Sequence, residues 1–233
     1  MPNSAAELII ANKELAFQVE QKEKLVTELA IANKKLQAAL LEVIAVARQL
    51  GEMRDPYTAG HEKNVGDLVA EISAELCLDE HFQEVMRTSG YLHDIGKIII
   101  PIEILAKPSK LSKEEYALVK NHVYASYQAL GHINFPWQIA RAALEHHERM
   151  DGSGYPNGLK GDEISMEGRI LAVADVVEAI TSHRPYRKGL GIEAALKEIE
   201  RGSGKQYDTN VVNACIKLFK EKAYKIPESM SSI

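Results

Sequence analysis

Five of the chain's eight histidines fall into a spaced set with two aspartates: His61, His93–Asp94, His122, His146–His147 and Asp175. Neutral imidazoles and carboxylates together hold divalent ions, and a bound ion yields hydroxide near neutral pH. The set therefore points to a multi-metal hydrolase. Histidines scattered over a surface seldom come as two separate adjacent pairs.

Each member reads differently on its own. If His93 and Asp94 share a helix, their side chains diverge by ~100°, so they reach two sides of one ion or let the carboxylate bridge two. A lone His-Asp pair would be better read as a buried histidine beside a solvated carboxylate; the surrounding string His93-Asp94-Ile95-Gly96-Lys97 is what favours ligation. Gly96 lets another backbone approach, and Lys97 falls one turn after His93, where a cation could hold a phosphate oxygen. His146 and His147 end a helix before a Gly-rich loop and suit two neighbouring ions. Asp175 lies beside an apolar stripe, where ligation would relieve the cost of an unpaired carboxylate. His61 and His122 alone would be unremarkable. His81, His132 and His183 fit no ligand position and read as structural or exposed. Arg184 and Arg187 suit a phosphate or a guanine edge, or equally a helix cap or surface ion pair.

Helices must position these groups, because strand signals are nearly absent. Asp79 opens a helix expected to run through His93–Asp94 to Gly96–Lys97, and 98–108 reads as loop. Ser112 and Glu115 form a capping box for a helix through His122 to Leu130. Trp137 to Glu148 reads as helix, ending in the loop Asp151-Gly152-Ser153-Gly154-Tyr155-Pro156. Ser165 or Gly168 starts a helix with Ile170, Val173, Ala174, Val177 and Ile180 on one side. Two more helices, about 192–201 and 208–223, finish an all-α domain expected over 51–233.

Residues 4–50 contain no Gly or Pro. The string Glu7–Leu15 returns as Glu28–Leu36, an offset of three heptads. In that register Leu8, Leu15, Lys22, Leu29, Leu36, Val43 and Leu50 take d, and Asn12, Val19, Val26, Asn33, Leu40 and Ala47 take a. β-branched residues at a, Leu at d and an occasional Asn at a favour a parallel two-stranded coil. Residues 1–50 are therefore expected to be a long coiled-coil helix that makes the chain a homodimer. One amphipathic helix packed on its own domain is the other reading.

The chain has 233 residues, 45% hydrophobic and 26% charged, with a net charge of -5. That balance argues against a duplex nucleic-acid binder. No apolar run approaches the ~20 residues of a membrane span, and the N-terminus lacks a signal-peptide pattern. The expected location is the cytoplasm. Cys77 and Cys215 read as buried free thiols.

Over about residues 41–223 the chain resembles the HD-GYP family of cyclic-dinucleotide phosphodiesterases. The likeness rests on Asp55-Pro56-Tyr57-Thr58-Ala59-Gly60-His61, His93-Asp94-Ile95-Gly96-Lys97, His122, the string from His146 to Pro156, and Ala174-Asp175 through Arg184-Pro185-Tyr186-Arg187. The resemblance implies an HD-type helical bundle with a bi- or trinuclear centre, often iron or manganese. It implies hydrolysis of cyclic di-GMP to the linear dinucleotide or GMP, or of the mixed GMP–AMP dinucleotide. It makes His61, His93, Asp94, His122, His146, His147 and Asp175 metal ligands, with Asp94 bridging. Lys97 is expected at the scissile phosphate, and Arg184 and Arg187 at the substrate. Three positions depart from the family pattern. Tyr57 replaces a glutamate that helps hold a third metal, so two divalent ions are expected. Glu178 and His183 stand where aspartates are usual.

On this reading Asp94 and Lys97 are the catalytic residues: two ions share an attacking hydroxide, while the ions and Lys97 neutralise charge on the phosphoryl oxygens. Two other classes remain open at this point. One is a catalytically silent cyclic-dinucleotide receptor, and the other an HD-type hydrolase of nucleotide monophosphates.

Overall fold

The computed structural model describes residues 5–54, 60–132, 138–182 and 189–227. The described residues form ten α-helices and two short 3-10 turns, with only isolated bridges and no strand. The helices are α1 (Ala5–Arg54), α2 (His61–Glu75), α3 (Glu80–Leu92), α4 (Ile102–Leu105), α5 (Lys113–Lys120), α6 (His122–Gly131), α7 (Ile139–Glu145), α8 (Met166–Thr181), α9 (Ile192–Gly202) and α10 (Thr209–Lys220). None of them is long and apolar enough to cross a membrane.

The chain divides into two compact units, residues 1–43 and 44–233. In the first, α1 exposes the heptad positions Leu8, Leu15, Val19, Val26, Leu29, Leu36, Leu40 and Val43. In the second, the boundary lies earlier than residue 51, because Ile44 is buried with Val85, Leu92, Leu130, Ile139 and Ala143. A larger core joins α2, α8, α9 and α10 through Leu68, Ile72, Ile170, Val173, Val177, Ile199 and Val211. Burying such side chains stabilises the bundle by about 1.5–3 kcal/mol each.

Several elements start where their capping residues dictate. Asp79 accepts from the Phe82 N–H, and Ser165 from the Gly168 N–H. Ser112 and Glu115 make a reciprocal capping box. Other expectations need correction. The helix opened by Asp79 stops at Leu92, so His93 and Asp94 do not share a helix. A 3-10 turn, Ile95–Ile99, follows them. The segment 98–108 is not all loop, since it contains α4. The Ser112 helix breaks at Asn121, and α6 starts afresh at His122. Trp137 lies outside the described residues.

Cys215 is buried as expected, and Cys77 is exposed. The reason is local. After the C-cap Leu76, Cys77 takes a left-handed φ of 58°. The Leu78 N–H then bonds the Ser73 carbonyl and the Cys77 N–H that of Ala74, which is the Schellman arrangement. The turn sends Leu78 onto the core and leaves Cys77 outside.

Candidate metal centre

The seven His and Asp side chains converge, mostly from helix ends. His61 is the first residue of α2 and His122 the first of α6, while His93 and His146 are the C-caps of α3 and α7. Asp175 comes from within α8. Gly96 brings two of these ends together. A Cβ there would lie 2.1 Å from the His122 carbonyl oxygen and 2.4 Å from the Ser126 nitrogen, and the Gly96 N–H donates to Ser126 Oγ at 2.9 Å.

Three histidines orient themselves by one device. Nδ1 of His93 lies 2.8 Å from the Gly90 carbonyl, that of His122 2.7 Å from Val119, and that of His146 2.8 Å from Ala143. A carbonyl can only accept, so each Nδ1 carries the proton and each Nε2 presents a lone pair. In each case the acceptor lies three residues earlier, one of the carbonyls a helix end leaves without an intrahelical partner. His61 is held by a carboxylate instead: Nδ1–H donates to Glu178 Oε2, and Nε2 faces Asp175 Oδ1 at 3.2 Å.

Asp94 sits at the middle of the group. Its Oδ1 is 3.2 Å from His122 Nε2 and 3.9 Å from His146 Nε2. Its Oδ2 is 3.4 Å from His93 Nε2 and 2.5 Å from Lys97 Nζ. Two sets of donor atoms form, His61–His93–Asp94 and His122–His146–His147. Asp175 Oδ1 also reaches to 4.0 Å from His93 Nε2. The donors fit divalent cations. The Nε2 atoms of His93, His122 and His146 and Oδ1 of Asp94 are buried without a hydrogen-bond partner, a costly arrangement that a cation among them would relieve.

Protonation follows the same geometry. Burial, His147 and His93 hold the His146 imidazole well below its usual range. Burial pushes His147 down to about 3 against the pull of Asp175. Both are neutral, as ligation requires. Burial would raise Asp94, but Lys97 and His93 outweigh it and keep the carboxylate ionised. Burial would lower His61, yet Glu178 and Asp175 push it up to about 10. A cation at Nε2 of His61 therefore displaces a proton.

Four further residues belong to the site. Glu178 anchors His61, and also accepts from Asn64 Nδ2 at 3.2 Å and Ser182 Oγ at 2.5 Å. Glu148, 1% exposed, accepts the backbone N–H groups of Asn157, Gly158 and Leu159, folding the Gly-Tyr-Pro loop back onto the centre. The Tyr155 ring then stacks on His147, centroids 4.7 Å apart. Burial raises the Tyr155 phenol, so it stays a donor. Glu62 is buried beside Asp94 and Lys97, with its carboxyl pushed up by burial. Sequence carried a signal for Glu178, three residues after Asp175 on the same helical face, and for Glu148, a carboxylate beside the paired histidines. His81 and His132 are exposed. Tyr57, His183, Arg184 and Arg187 lie outside the described residues.

Residues 45–211 match the HD domain family. The chain belongs to it. Its helical architecture and the HD-GYP resemblance stand together on this match. The chain is 45% identical over 184 residues to a cyclic di-GMP phosphodiesterase of Thermotoga maritima, covering 78% of this chain and 50% of that protein. It is 38% identical over 172 residues to 3'3'-cGAMP-specific phosphodiesterase 3 of Vibrio cholerae, covering 73% and 37%. A solved HDG"Y"P protein from Bdellovibrio bacteriovorus superposes with a TM-score of 0.57 over 70% of this chain and 52% of its own; at 17% identity this shows the fold alone. The chain thus spans half or less of the length of these two curated relatives.

Proposed function

We propose that this HD domain is a metal-dependent phosphodiesterase that hydrolyses cyclic di-GMP to the linear dinucleotide or GMP. The observation that carries the reading is the convergence of buried, unpartnered Nε2 atoms on Asp94. The substrate class comes from the named activities of the relatives.

His61, His93, Asp94, His122, His146, His147 and Asp175 would hold two divalent ions, with Asp94 reaching both. Iron or manganese suits a site of imidazole and carboxylate without thiolate. When bound, such ions polarise the phosphoryl oxygens and activate water. Asp94 keeps its charge and lends its two oxygens to the two donor sets. Lys97, hydrogen-bonded to Asp94, sets a fixed positive charge beside the site for a non-bridging phosphate oxygen. Tyr155 offers a protonated hydroxyl from the loop side. Arg184 and Arg187 are assigned to substrate by their place in the motif.

A preference for the mixed GMP–AMP dinucleotide is the second reading, favoured by similarity to the V. cholerae cGAMP-specific enzyme. The test is chromatography of products after incubating iron- or manganese-reconstituted protein with each dinucleotide. Linear dinucleotide or mononucleotide is expected, and the faster substrate decides between the two. Absence of product from both overturns the proposal. We further propose that the exposed heptads of α1 pair two chains in a parallel coil.

A further inference from the structure

An aromatic series runs outward from His147. Tyr155 stacks on the imidazole at 27°, and Tyr116 meets the Tyr155 ring edge-on, centroids 6.5 Å apart. Tyr116 belongs to α5, not to the Gly-Tyr-Pro loop, and is 49% exposed. Lys120, one turn further along α5, places Nζ 5.4 Å from the Tyr116 centroid and 5.6 Å from that of Tyr155. A flat, half-exposed ring and a cation held over two π faces thus border the centre from a separate element. Stacking alone does not require a cation, and a phosphate site does not require two rings. Together they match a purine, which offers a π face to a tyrosine and acceptor atoms to an ammonium group.

We infer that Tyr116 and Lys120 form, beside Tyr155, a nucleobase subsite that takes guanine. Guanine presents two acceptors, O6 and N7, on one edge, whereas adenine presents N7 and an amino donor. An ammonium group attracts the first pattern and clashes with the second. The Tyr116 ring supplies affinity for the base, and Lys120 supplies its identity. This inference rests on the phosphodiesterase reading for its location, and its test does not depend on turnover.

Mononucleotides are not diesters, so their binding can be read without hydrolysis. Calorimetry on the manganese-loaded full chain compares GMP, AMP and ribose 5-phosphate, which lacks a base. Wild type should bind GMP about tenfold or more tighter than ribose 5-phosphate. Tyr116→Ala should erase that margin and leave ribose 5-phosphate unchanged, while Tyr116→Phe, which keeps the ring, should retain it. Lys120→Ala should equalise GMP and AMP. Equal binding of GMP and ribose 5-phosphate by wild type overturns the subsite. So does a margin that survives Tyr116→Ala, or a Lys120→Ala loss shared equally by all three ligands. A Tyr116-dependent margin in a protein that hydrolyses neither cyclic dinucleotide keeps the subsite and removes the phosphodiesterase reading. Hydrolysis indifferent to Tyr116 and Lys120 does the reverse.

Discussion

Glu178 accepts a hydrogen bond from Nδ1 of His61, 117 residues earlier in the chain, and both side chains are buried. The carboxylate fixes which nitrogen of His61 faces Asp175. Partners of this kind commonly control metal affinity by 10- to 100-fold. Glu178→Ala should therefore weaken metal binding by about that factor while the helices remain, and Glu178→Gln, which still accepts, should weaken it less. Competition titration against a chelator measures this. Equal affinities in all three proteins would contradict the role given to Glu178.

The same pair predicts a pH signature in metal-free protein. His61 is pushed up to about 10 and Glu178 down to about 2. The raised histidine contributes stability fully below its unfolded value near 6.5 and loses it as pH rises toward 10. The depressed glutamate contributes above about 4.5 and loses it as pH falls toward 2. The difference in melting temperature between wild type and Glu178→Ala should be greatest between about pH 4.5 and 6.5 and shrink on both sides. A difference that does not vary with pH speaks against the ion pair.

Gly96 sets the distance between His93–Asp94 and His122. The Cβ of alanine would press on the His122 carbonyl and the Ser126 nitrogen, both backbone atoms that cannot swing away. Gly96→Ala should cost about 1–3 kcal/mol in urea unfolding. A loss under about 0.5 kcal/mol would show that the 3-10 turn gives way freely.

Much of this arrangement was legible from residue types. Asp79, Ser112 and Ser165 open helices because each side chain meets the N–H three residues on. The stripe Ile170, Val173, Ala174, Val177 buries because its period matches a helix. What local pattern could not give was the break at Leu92. Helical periodicity runs on past it, whereas the chain turns there into a 3-10 turn that sets Gly96 against α6. The break at Asn121 likewise lay inside a segment that read as one helix from Ser112 to Leu130, and Cys77 lay in an apolar, helix-like stretch whose left-handed turn no residue type announced. Glu178 stood out as a departure from a usual aspartate and by its place three residues after Asp175 on one helical face, with no partner named. Its longer side chain, meeting His61, Asn64 and Ser182, becomes meaningful once α2 lies against α8.

The two thiols should react differently. Cys77 is exposed, while burial pushes Cys215 up to about 12. A chromogenic disulfide reagent at pH 8 should titrate one thiol rapidly in native protein and the second only in denaturant. Two fast thiols, or none, would place Cys215 or Cys77 wrongly.

Pairing through α1 predicts that Leu29→Asp with Leu36→Asp, two d positions, yields monomers of unchanged helical domain at micromolar concentration. Sedimentation equilibrium measures it. Dimers that persist place the interface elsewhere. A truncation intended for the same purpose should begin at Ile44, because that side chain is part of the domain core.

The most direct test of the centre is the metal stoichiometry of anaerobically purified protein, by elemental analysis of wild type against Asp94→Ala. Two divalent ions per chain in wild type, and loss of at least one in the variant, is the predicted result. A wild-type chain that holds no ion after reconstitution, or an Asp94→Ala chain as fully loaded as wild type, would contradict it.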